Sequence, residues 1–336
     1  MNCFCTYCDQ GYAARMLCLH ESLAEGGEPF RLFVLCFDRT VESAIAEQGL
    51  PSLVAIPLDE LLKADPEYAA VRGQRTPVEF FFTATPAIVR HCLARAPEAE
   101  TMTYLDADLY FFAPASAVLR VQDGASVGIV PHRFPPRLAE RSIYGTYNVA
   151  WVSFRRDADG MACLEWWRER CLEWCFDRVE GGRFADQGYL DEFPKRFRGV
   201  RALDHPGINA GPWNTADARV EVEEGRVCID GAPLLFFHFQ GLRETLPGWF
   251  DPGFRAYGAT ASQEIRELIY LPYLCRLTVT QQRLREEFGI GVTVRQAREN
   301  VGATWSERWK KFKQRTLAPH VRRWRGELIH CPEPTL

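Results

Sequence analysis

The chain has 336 residues, of which 47% are hydrophobic and 12% aromatic; this composition can fill a large core and excludes a wholly disordered protein. The formal net charge of −4 predicts no general attraction to nucleic acid. No apolar run reaches the roughly 18–20 residues of a membrane span, and the opening MNCFCTYCDQ does not resemble a signal peptide. The twelve cysteines are therefore expected to be thiols of a cytoplasmic protein.

Up to residue 108, predicted strands alternate with predicted helices. The predicted strands are residues 2–8, 30–38, 52–58 and 98–108, and the predicted helices are residues 11–25, 41–49 and 78–96. This βαβα alternation predicts an α/β fold with a mostly parallel sheet and helices on both faces. Ligands of such sheets bind beyond the carboxyl ends of the strands. Asp9, Asp38 and Asp106 lie near three of these ends, and those of the first and fourth strands are candidates for one shared site.

Beyond residue 114 the pattern changes. Further strands are predicted at residues 125–132, 146–156 and 232–241, and a helix is predicted at residues 160–179. From about Ser262 onward the chain is predicted to be mostly helical and increasingly basic. We therefore expect two parts, an α/β domain of residues 1–260 and a helical extension of residues 261–336.

The segment TMTYLDADLYFFAP places two carboxylates inside a strongly apolar run. Ionised carboxylates are costly to bury unless they are paired or bind a metal. Because side chains alternate along a strand, Asp106 and Asp108 are expected to share a face, where both can bind one hard divalent cation. Two solvated turn residues are the alternative interpretation of this D-x-D pattern.

A second apolar strand, in LLFFHFQGL, ends at His238. A lone histidine in such a place is more often a structural core residue. With a D-x-D pattern elsewhere in the chain, however, His238 is a candidate third metal ligand, and imidazole suits Mn²⁺ better than Mg²⁺. Gly241 follows three residues later and would allow the backbone to approach a phosphate closely.

Five segments between residues 3 and 250 occur in the order of a known family. They are CDQGYAARMLCLHESL, YLDADLYFF, YNVAWVSFRR, FADQGYLDEFP and HFQGL. In this order they resemble the GT-A glycosyltransferases, and most closely glycosyltransferase family 8. The resemblance implies a Rossmann-like mixed sheet, mostly parallel and flanked by helices, and makes residues 1–260 the catalytic domain.

The resemblance also implies roles for individual residues near the donor. Asp9 matches the residue that reads the edge of uracil, and Tyr12 matches the one that stacks on the ring. Asn148 matches a residue that contacts the sugar, and Asp186 and Gln187 match a pair beside the donor sugar. These last two are the candidate catalytic residues.

The metal and diphosphate positions follow from the same resemblance. Asp106, Asp108 and His238 match the metal ligands, with Asp106 also contacting the donor, and Gly241 matches the glycine beside the diphosphate. The chain departs from the family pattern where Ala150 replaces a glycine and Glu244 replaces a lysine. Arg243, one residue earlier, carries a planar guanidinium suited to contact the diphosphate instead.

The activity implied by the resemblance is that of a metal-dependent glycosyltransferase of the hexosyltransferase type. It would use Mn²⁺ or Mg²⁺ and move a sugar from a nucleoside diphosphate sugar, with UDP expected, to a glycan or lipid-linked acceptor in polysaccharide biosynthesis. Retention at the anomeric carbon is implied, either through a carboxylate nucleophile or by departure and attack on one face. Asp186 is the favoured carboxylate, and a helix N-cap is its alternative role.

Two other classes of function remain open. A non-catalytic protein that binds glycans or nucleotide sugars on the same fold is one alternative. A D-x-D phosphatase is the other, although that motif requires Thr or Val where Tyr110 stands. The segment HPGINAGPWN further supplies Asn209, Trp213 and Asn214, a set typical of sugar sites, whereas a tryptophan in such a turn is also often a loop anchor.

The C-terminal residues 305–325 contain eight Lys or Arg residues and one Glu. Trp305, Trp309, Phe312 and Thr316 recur at helical spacing. A basic amphipathic helix of this kind can lie on an anionic membrane. The segment predicts peripheral attachment to the inner face of the membrane, with a solvated helix docked on the domain as the alternative.

Overall fold

The computed structural model describes residues 1–291 and 318–331. In chain order the strands are β1 Asn2–Cys8, β2 Phe30–Cys36, β3 Leu53–Pro57, β4 Thr101–Leu105, β5 Leu109–Phe111, β6 Val127–Pro131, β7 Tyr147–Arg155, β8 Val200–Ala202, β9 Val220–Glu223, β10 Arg226–Ile229, β11 Ala232–Pro233, β12 Phe236–His238, β13 Arg243–Leu246, β14 Trp249–Asp251 and β15 Ile329–His330.

The described α-helices are α1 Ala13–Glu25, α2 Arg39–Glu47, α3 Leu58–Ala64, α4 Pro66–Ala70, α5 Pro77–Arg95, α6 Ser116–Gln122, α7 Ala158–Glu173, α8 Phe193–Arg196, α9 Leu271–Phe288 and α10 Ala318–Trp324. Short 3₁₀ helices lie at Arg72–Gln74, Pro136–Tyr144, Gln187–Glu192 and Phe254–Tyr257, and a π-helical segment, Ile265–Tyr270, leads into α9.

The central sheet has seven strands in the order β3-β2-β1-β4-β7-β6-β8. Strands β3, β2, β1 and β4 are mutually parallel, β7 runs antiparallel to both of its neighbours, and β8 is parallel to β6. Six strands therefore run in one direction. The prediction of a mixed, mostly parallel sheet flanked by helices, with a helical C-terminal part, is confirmed.

Two hydrophobic cores cover the two faces of this sheet. Alternation along β1 sends Phe4 into one core and both Cys3 and Cys5 into the other. Helices α1 and α9 contribute to the first core, and α5 and α7 contribute to the second. Because both faces are covered, the open ends of the parallel strands are where polar side chains can gather.

Helix α5 shows how local sequence fixes an element beside those ends. Thr76 and Glu79 form a reciprocal capping box at its start, and Pro77 occupies the first turn, where a missing N–H costs nothing. Pro86 lies inside the helix, yet the helix continues to Arg95. Its buried face packs against the second core, and Thr85 on this helix is also buried.

Three predicted elements differ from the structure. The strand predicted at residues 98–108 ends at Leu105, so Asp106 and Asp108 lie in the connection between β4 and β5 and not on a strand. The helix predicted at residues 160–179 ends at Glu173, because Trp174 has an extended backbone and its ring is buried in the second core. The strand predicted at residues 232–241 is divided into β11 and β12. Proline has no N–H with which to continue a strand ladder, and beyond Pro233 the Leu235 N–H bonds to Gly207 O instead.

The C-terminal part packs directly on the α/β part. Cys18 of α1 contacts Thr280 of α9, and Arg276 forms ion pairs with Glu21 and Glu25. A domain boundary between residues 260 and 261 stays a prediction. Within residues 1–291 and 318–331, no helix combines the length and the apolar composition that crossing a membrane requires.

Candidate functional site

A cluster of three side chains forms where β4 ends. Asp106 follows β4, Asp108 precedes β5, and His238 is the last residue of β12. Antiparallel pairing of β5 with β12 places His238 opposite Leu109, and so beside the D-x-D segment. The D-x-D segment and the histidine, distant in sequence, are therefore brought together by one short two-stranded sheet.

The geometry of this cluster suits a divalent cation. His238 Nε2 lies 3.1 Å from Asp108 Oδ1 and 3.8 Å from Asp106 Oδ2. One ligand atom from each residue lies within 4.8 Å of the others. Two carboxylate oxygens and one imidazole nitrogen are a donor set for Mn²⁺, and Mg²⁺ also accepts the oxygens. The three ligands predicted from the sequence are thus brought together.

The charges in the cluster are strongly coupled. Burial raises the pKa of Asp106 to about 6, with neighbouring Asp108 adding to the effect against the opposing pull of His238. Burial by itself would raise the pKa of Asp108, but the adjacent His238 lowers it overall. Likewise, burial opposes the charged imidazole, yet Asp108 raises the pKa of His238. A cation bound here would replace the positive charge that the imidazolium otherwise supplies.

Asp186 lies close to this cluster and is itself buried. Burial raises its pKa to about 7, and the negative charge of Asp106 adds to the shift. The preceding Ala185 has a φ of 46°, a conformation that is unfavourable for a residue with a Cβ. Asp186 occupies the N-cap position of the following 3₁₀ helix, but its side chain makes no capping hydrogen bond there.

Gln187 joins this helix to β7, and Asn148 lies on β7 itself. Gln187 Nε2 donates to Tyr144 O at 2.8 Å, and its Oε1 accepts from the Val149 N–H at 3.4 Å. Asn148 is buried, and its Oδ1 accepts from the Ala150 N–H at 2.8 Å. Both side chains are therefore held by backbone groups at the β7 side of the site.

Asp9 and Tyr12 lie at the open end of β1. Asp9 Oδ1 accepts from the Tyr12 N–H at 3.2 Å, and the Tyr12 ring is 43% exposed. Asp108, together with burial, raises the pKa of Tyr12 to about 12, which links this tyrosine to the metal cluster. Asp38 has another role, since it caps α2 by accepting from the Val41 N–H at 3.0 Å.

The loop after His238 carries the remaining candidates. Gly241 has a φ of 78°, a conformation that favours glycine. Arg243 is not in contact with the cluster; its guanidinium donates to Asp251 Oδ2 at 3.0 and 3.2 Å. The carbonyl oxygen of Leu242 accepts from Arg15 Nη2 at 2.7 Å, and the Arg15 guanidinium lies over the Tyr12 ring.

Trp213 is a loop anchor, which was the alternative interpretation of a tryptophan in this turn. It is fully buried, donates from Nε1 to His132 O at 2.7 Å, and meets the His238 ring edge-on at a centroid distance of 5.4 Å. It is therefore not available to stack on a sugar. Instead, it packs against His238.

Two further residues around the cluster, Tyr104 and Arg15, were not predicted from the sequence. Tyr104 donates a hydrogen bond to Asp106. It lies near the end of β4, two residues before Asp106, and this spacing was a signal for it. Arg15 approaches the site from α1; burial alone would lower its pKa, but the negative charge of Asp108 is close enough to favour its charged form and help raise its pKa. No comparable sequence signal marked Arg15, because its contacts depend on the packing of α1 against the loop after His238.

Comparison with known proteins gives the family. No model of a known protein family matches the sequence. The chain is 32% identical over 254 residues to the uncharacterized protein YfnF of Bacillus subtilis (strain 168), an alignment that covers 72% of this chain and 82% of YfnF. The chain belongs to the YfnF family. YfnD of the same organism is 28% identical over 279 residues, covering 82% of this chain and 88% of YfnD.

Solved structures similar to this YfnF-family chain are glycosyltransferases. An active-site mutant of LgtC has a TM-score of 0.46 and 15% identity, covering 71% of this chain and 87% of LgtC. Mouse xyloside xylosyltransferase 1 has a TM-score of 0.46 and 12% identity, covering 71% of this chain and 98% of that chain. Scores of this size do not establish a shared fold, so the architecture rests on the strand order and pairing described above.

Proposed function

We propose that the chain is a metal-dependent glycosyltransferase with a UDP-sugar as its donor, most similar to glycosyltransferase family 8. The convergence of Asp106, Asp108 and His238 at the open end of a mostly parallel sheet is the observation that carries this proposal. The order of the five sequence segments supports it independently.

The metal site would hold Mn²⁺ or Mg²⁺ through Asp106, Asp108 and His238. When bound, the cation supplies positive charge against the diphosphate and so stabilises it as a leaving group. Asp9 accepts a hydrogen bond from the uracil N3–H, and the exposed Tyr12 ring stacks on the base. Gly241 allows the backbone to approach the diphosphate, and Arg243 binds it when its guanidinium turns from Asp251.

The sugar would lie between the metal cluster and the segment that begins at Asp186. Asp186 and Gln187 act as the catalytic pair, and Asn148 contacts the sugar. Transfer proceeds with retention, either through a carboxylate nucleophile or by attack on the face from which the diphosphate departs. The raised pKa of Asp186 is lowered when a positive charge develops beside it, because an adjacent cation favours the ionised carboxylate.

The acceptor is proposed to be a glycan or a lipid-linked sugar, with the reaction a hexosyl transfer in polysaccharide biosynthesis on the inner face of the membrane. Of the basic segment 305–325, residues 305–317 lie outside the described residues. The described portion includes α10, whose Trp324 is 87% exposed and is flanked by Arg323 and Arg325. An exposed tryptophan among arginines suits an anionic lipid surface.

A thermal-shift panel of UDP-, GDP- and CDP-sugars, each with and without Mn²⁺, tests this function. A ligand at about 100 times its dissociation constant stabilises a fold by roughly 2.7 kcal/mol. We expect stabilisation by a UDP-sugar only with Mn²⁺, and slow Mn²⁺-dependent release of UDP. Binding without any release or transfer would identify a non-catalytic binding protein, and absence of binding by every nucleotide sugar would contradict the proposal.

A further inference from the structure

A buried ion pair ties the C-terminal segment, residues 318–331, to the α/β part of the chain. Arg322 of α10 donates from Nη1 and Nη2 to the two carboxylate oxygens of Asp251, at 2.7 and 2.9 Å. Both side chains are largely buried. The same segment forms β15, which pairs with β14 and so with the strand that ends at Asp251. This two-pronged contact fixes the carboxylate in one orientation.

Asp251 in turn holds the turn that follows it. Its Oδ1 accepts from the Gly253 N–H at 3.1 Å. Gly253 has a φ of 86°, and a Cβ there would lie 2.7 Å from the carbonyl oxygen of Gln240. The turn is therefore packed against the backbone of the loop after His238. We call this loop, residues 239–243, the donor loop.

The donor loop connects the metal cluster to Arg243. It begins directly after His238 and contains Gly241. Arg15 holds the loop from its other side through Leu242 O at 2.7 Å. The loop thus lies between α1 and the Gly253 turn, and its position depends on both.

Two arginines share the Asp251 carboxylate unequally. Arg322 contacts both oxygens, whereas the more exposed Arg243 contacts only Oδ2. Burial alone would raise the pKa of Asp251, but its bonds to Arg322 and Gly253, with a further one from Arg243, lower it. Arg322 is itself oriented by Glu327, which accepts from its Nε at 3.0 Å. Arg322 therefore supplies most of the charge compensation that a buried carboxylate requires.

We propose that Arg322 is a positioning residue for the donor site, acting through Asp251 on the donor loop and on Arg243. This inference rests on the proposed function. With Arg322 in place, Asp251 is compensated, the Gly253 turn is fixed, and Arg243 is able to leave the carboxylate for a diphosphate. Without Arg322, the buried carboxylate retains Arg243 and the donor loop loses its support.

The test compares Arg322→Gln with Arg276→Gln. Arg276 is a matched control because it also joins the C-terminal part to the α/β part, but its ion pairs are with Glu21 and Glu25 of α1 and not with Asp251. The affinity for UDP in saturating Mn²⁺ is measured by calorimetry, at a temperature well below the unfolding midpoint of each variant. We expect Arg322→Gln to weaken UDP binding by about tenfold, the equivalent of one charge-assisted hydrogen bond.

A second readout separates positioning from general destabilisation. With a UDP-sugar as substrate, Arg322→Gln should raise the KM for the donor and largely retain kcat. Arg322→Lys should restore part of the donor affinity, because lysine returns the positive charge. Arg276→Gln should leave both constants unchanged. Unchanged UDP affinity in Arg322→Gln, or an equal loss in both glutamine variants, would overturn the proposal.

Hydrogen exchange keeps the test informative if the unmodified protein binds no nucleotide and the proposed function fails. The Leu242 N–H donates to Phe239 O at 3.1 Å inside the donor loop. Faster exchange of this amide in Arg322→Gln than in Arg276→Gln would support positioning of the loop by Arg322. Equal exchange in the two variants would overturn it.

Discussion

The Tyr104 hydroxyl donates a 2.9 Å hydrogen bond to Oδ1 of Asp106, two residues further along the chain. Tyr104 is almost completely buried, and the other oxygen of Asp106 faces His238. One carboxylate oxygen is thus held by the protein, while the second is directed into the metal cluster. The bond fixes the orientation of Asp106, a proposed metal ligand, before any cation binds.

Tyr104→Phe should therefore weaken Mn²⁺ binding without disturbing the fold. Loss of such a partner of a metal ligand typically costs about 10–100-fold in affinity. Titration of Mn²⁺ by calorimetry measures the effect. Tyr68→Phe is the matched control, since its buried hydroxyl donates to Phe80 O at 3.2 Å away from the cluster. Equal Mn²⁺ affinities in the two variants would show that Tyr104 does not orient Asp106.

Asp108→Asn should abolish Mn²⁺-dependent binding of a UDP-sugar while the protein remains folded. The amide removes one of the two negative charges that a divalent cation needs in this cluster. Asp38→Asn is the control, because Asp38 also follows a strand of the sheet but caps α2, and asparagine caps helices equally well. A thermal-shift assay with and without Mn²⁺ measures both. Normal binding and turnover by Asp108→Asn would refute the metal assignment.

Replacement of Asp9 and Tyr12 should distinguish the bases. Stacking on Tyr12 contributes roughly 1–3 kcal/mol for any base, so Tyr12→Ala should weaken UDP and GDP to a similar extent. Asp9→Ala should weaken UDP much more than CDP, because only uracil donates from N3–H to the carboxylate. Calorimetric titration of UDP, CDP and GDP in Mn²⁺ provides the comparison. Tighter binding of GDP than of UDP by the unmodified protein would contradict the assignment of uracil.

The buried Asp65–Arg168 pair predicts a loss of stability in acid. Arg168 donates to both oxygens of Asp65, at 2.6 and 2.7 Å. Burial alone would raise the pKa of Asp65, but these bonds lower it overall. A carboxyl whose pKa is lower in the folded than in the unfolded chain stabilises the fold fully above its unfolded pKa, roughly 3.9. That contribution is lost as the pH falls through the folded pKa.

Asp65→Asn should remove this pH dependence and destabilise the protein near neutral pH by roughly 3–5 kcal/mol, the usual cost of breaking a buried pair. Urea unfolding between about pH 7 and pH 3 measures both effects. Asp123→Asn serves as the control, since Asp123 is 74% exposed and pairs with Arg201 at the surface. Parallel pH profiles for unmodified protein and Asp65→Asn would contradict the assignment.

Membrane attachment predicts a role for Trp324 in binding anionic vesicles. Trp324→Ser should reduce sedimentation with such vesicles and leave the unfolding midpoint unchanged, because the side chain is 87% exposed. Val222→Ser, a change at an exposed apolar residue on β9, should have no effect. Binding should also fall as salt is added, because salt shortens the Debye screening length, which is about 8 Å at physiological ionic strength. Equal vesicle binding by both variants would argue against a membrane role for α10.

Deleting residues 305–336 is a poorer test of the same idea. The deletion removes Arg322 and β15 together with the basic residues. Any loss of donor binding would then reflect Asp251 and the donor loop as well as the membrane. Single exposed residues separate these effects, because they leave the ion pair in place.

The alternation of apolar runs determined most of the architecture. The order of strands and helices up to residue 108 predicted a mostly parallel sheet. A strand buried on both faces is a short continuous apolar run, whereas a helix with one buried face repeats its apolar residues every three to four positions. The D-x-D at the end of an apolar strand likewise indicated a metal site, because burying two carboxylates without a partner is costly. These are local properties of the chain, and the sequence carries them directly.

Relationships between distant segments were decided only by the tertiary structure. Pairing of β5 with β12 brought His238 to Asp106 and Asp108, and docking of α10 brought Arg322 to Asp251. The burial of Trp213 behind His238 and the pairing of Arg243 with Asp251 also depend on packing. No local period encodes such contacts, because each forms only when two segments distant in sequence pack against each other and exclude water.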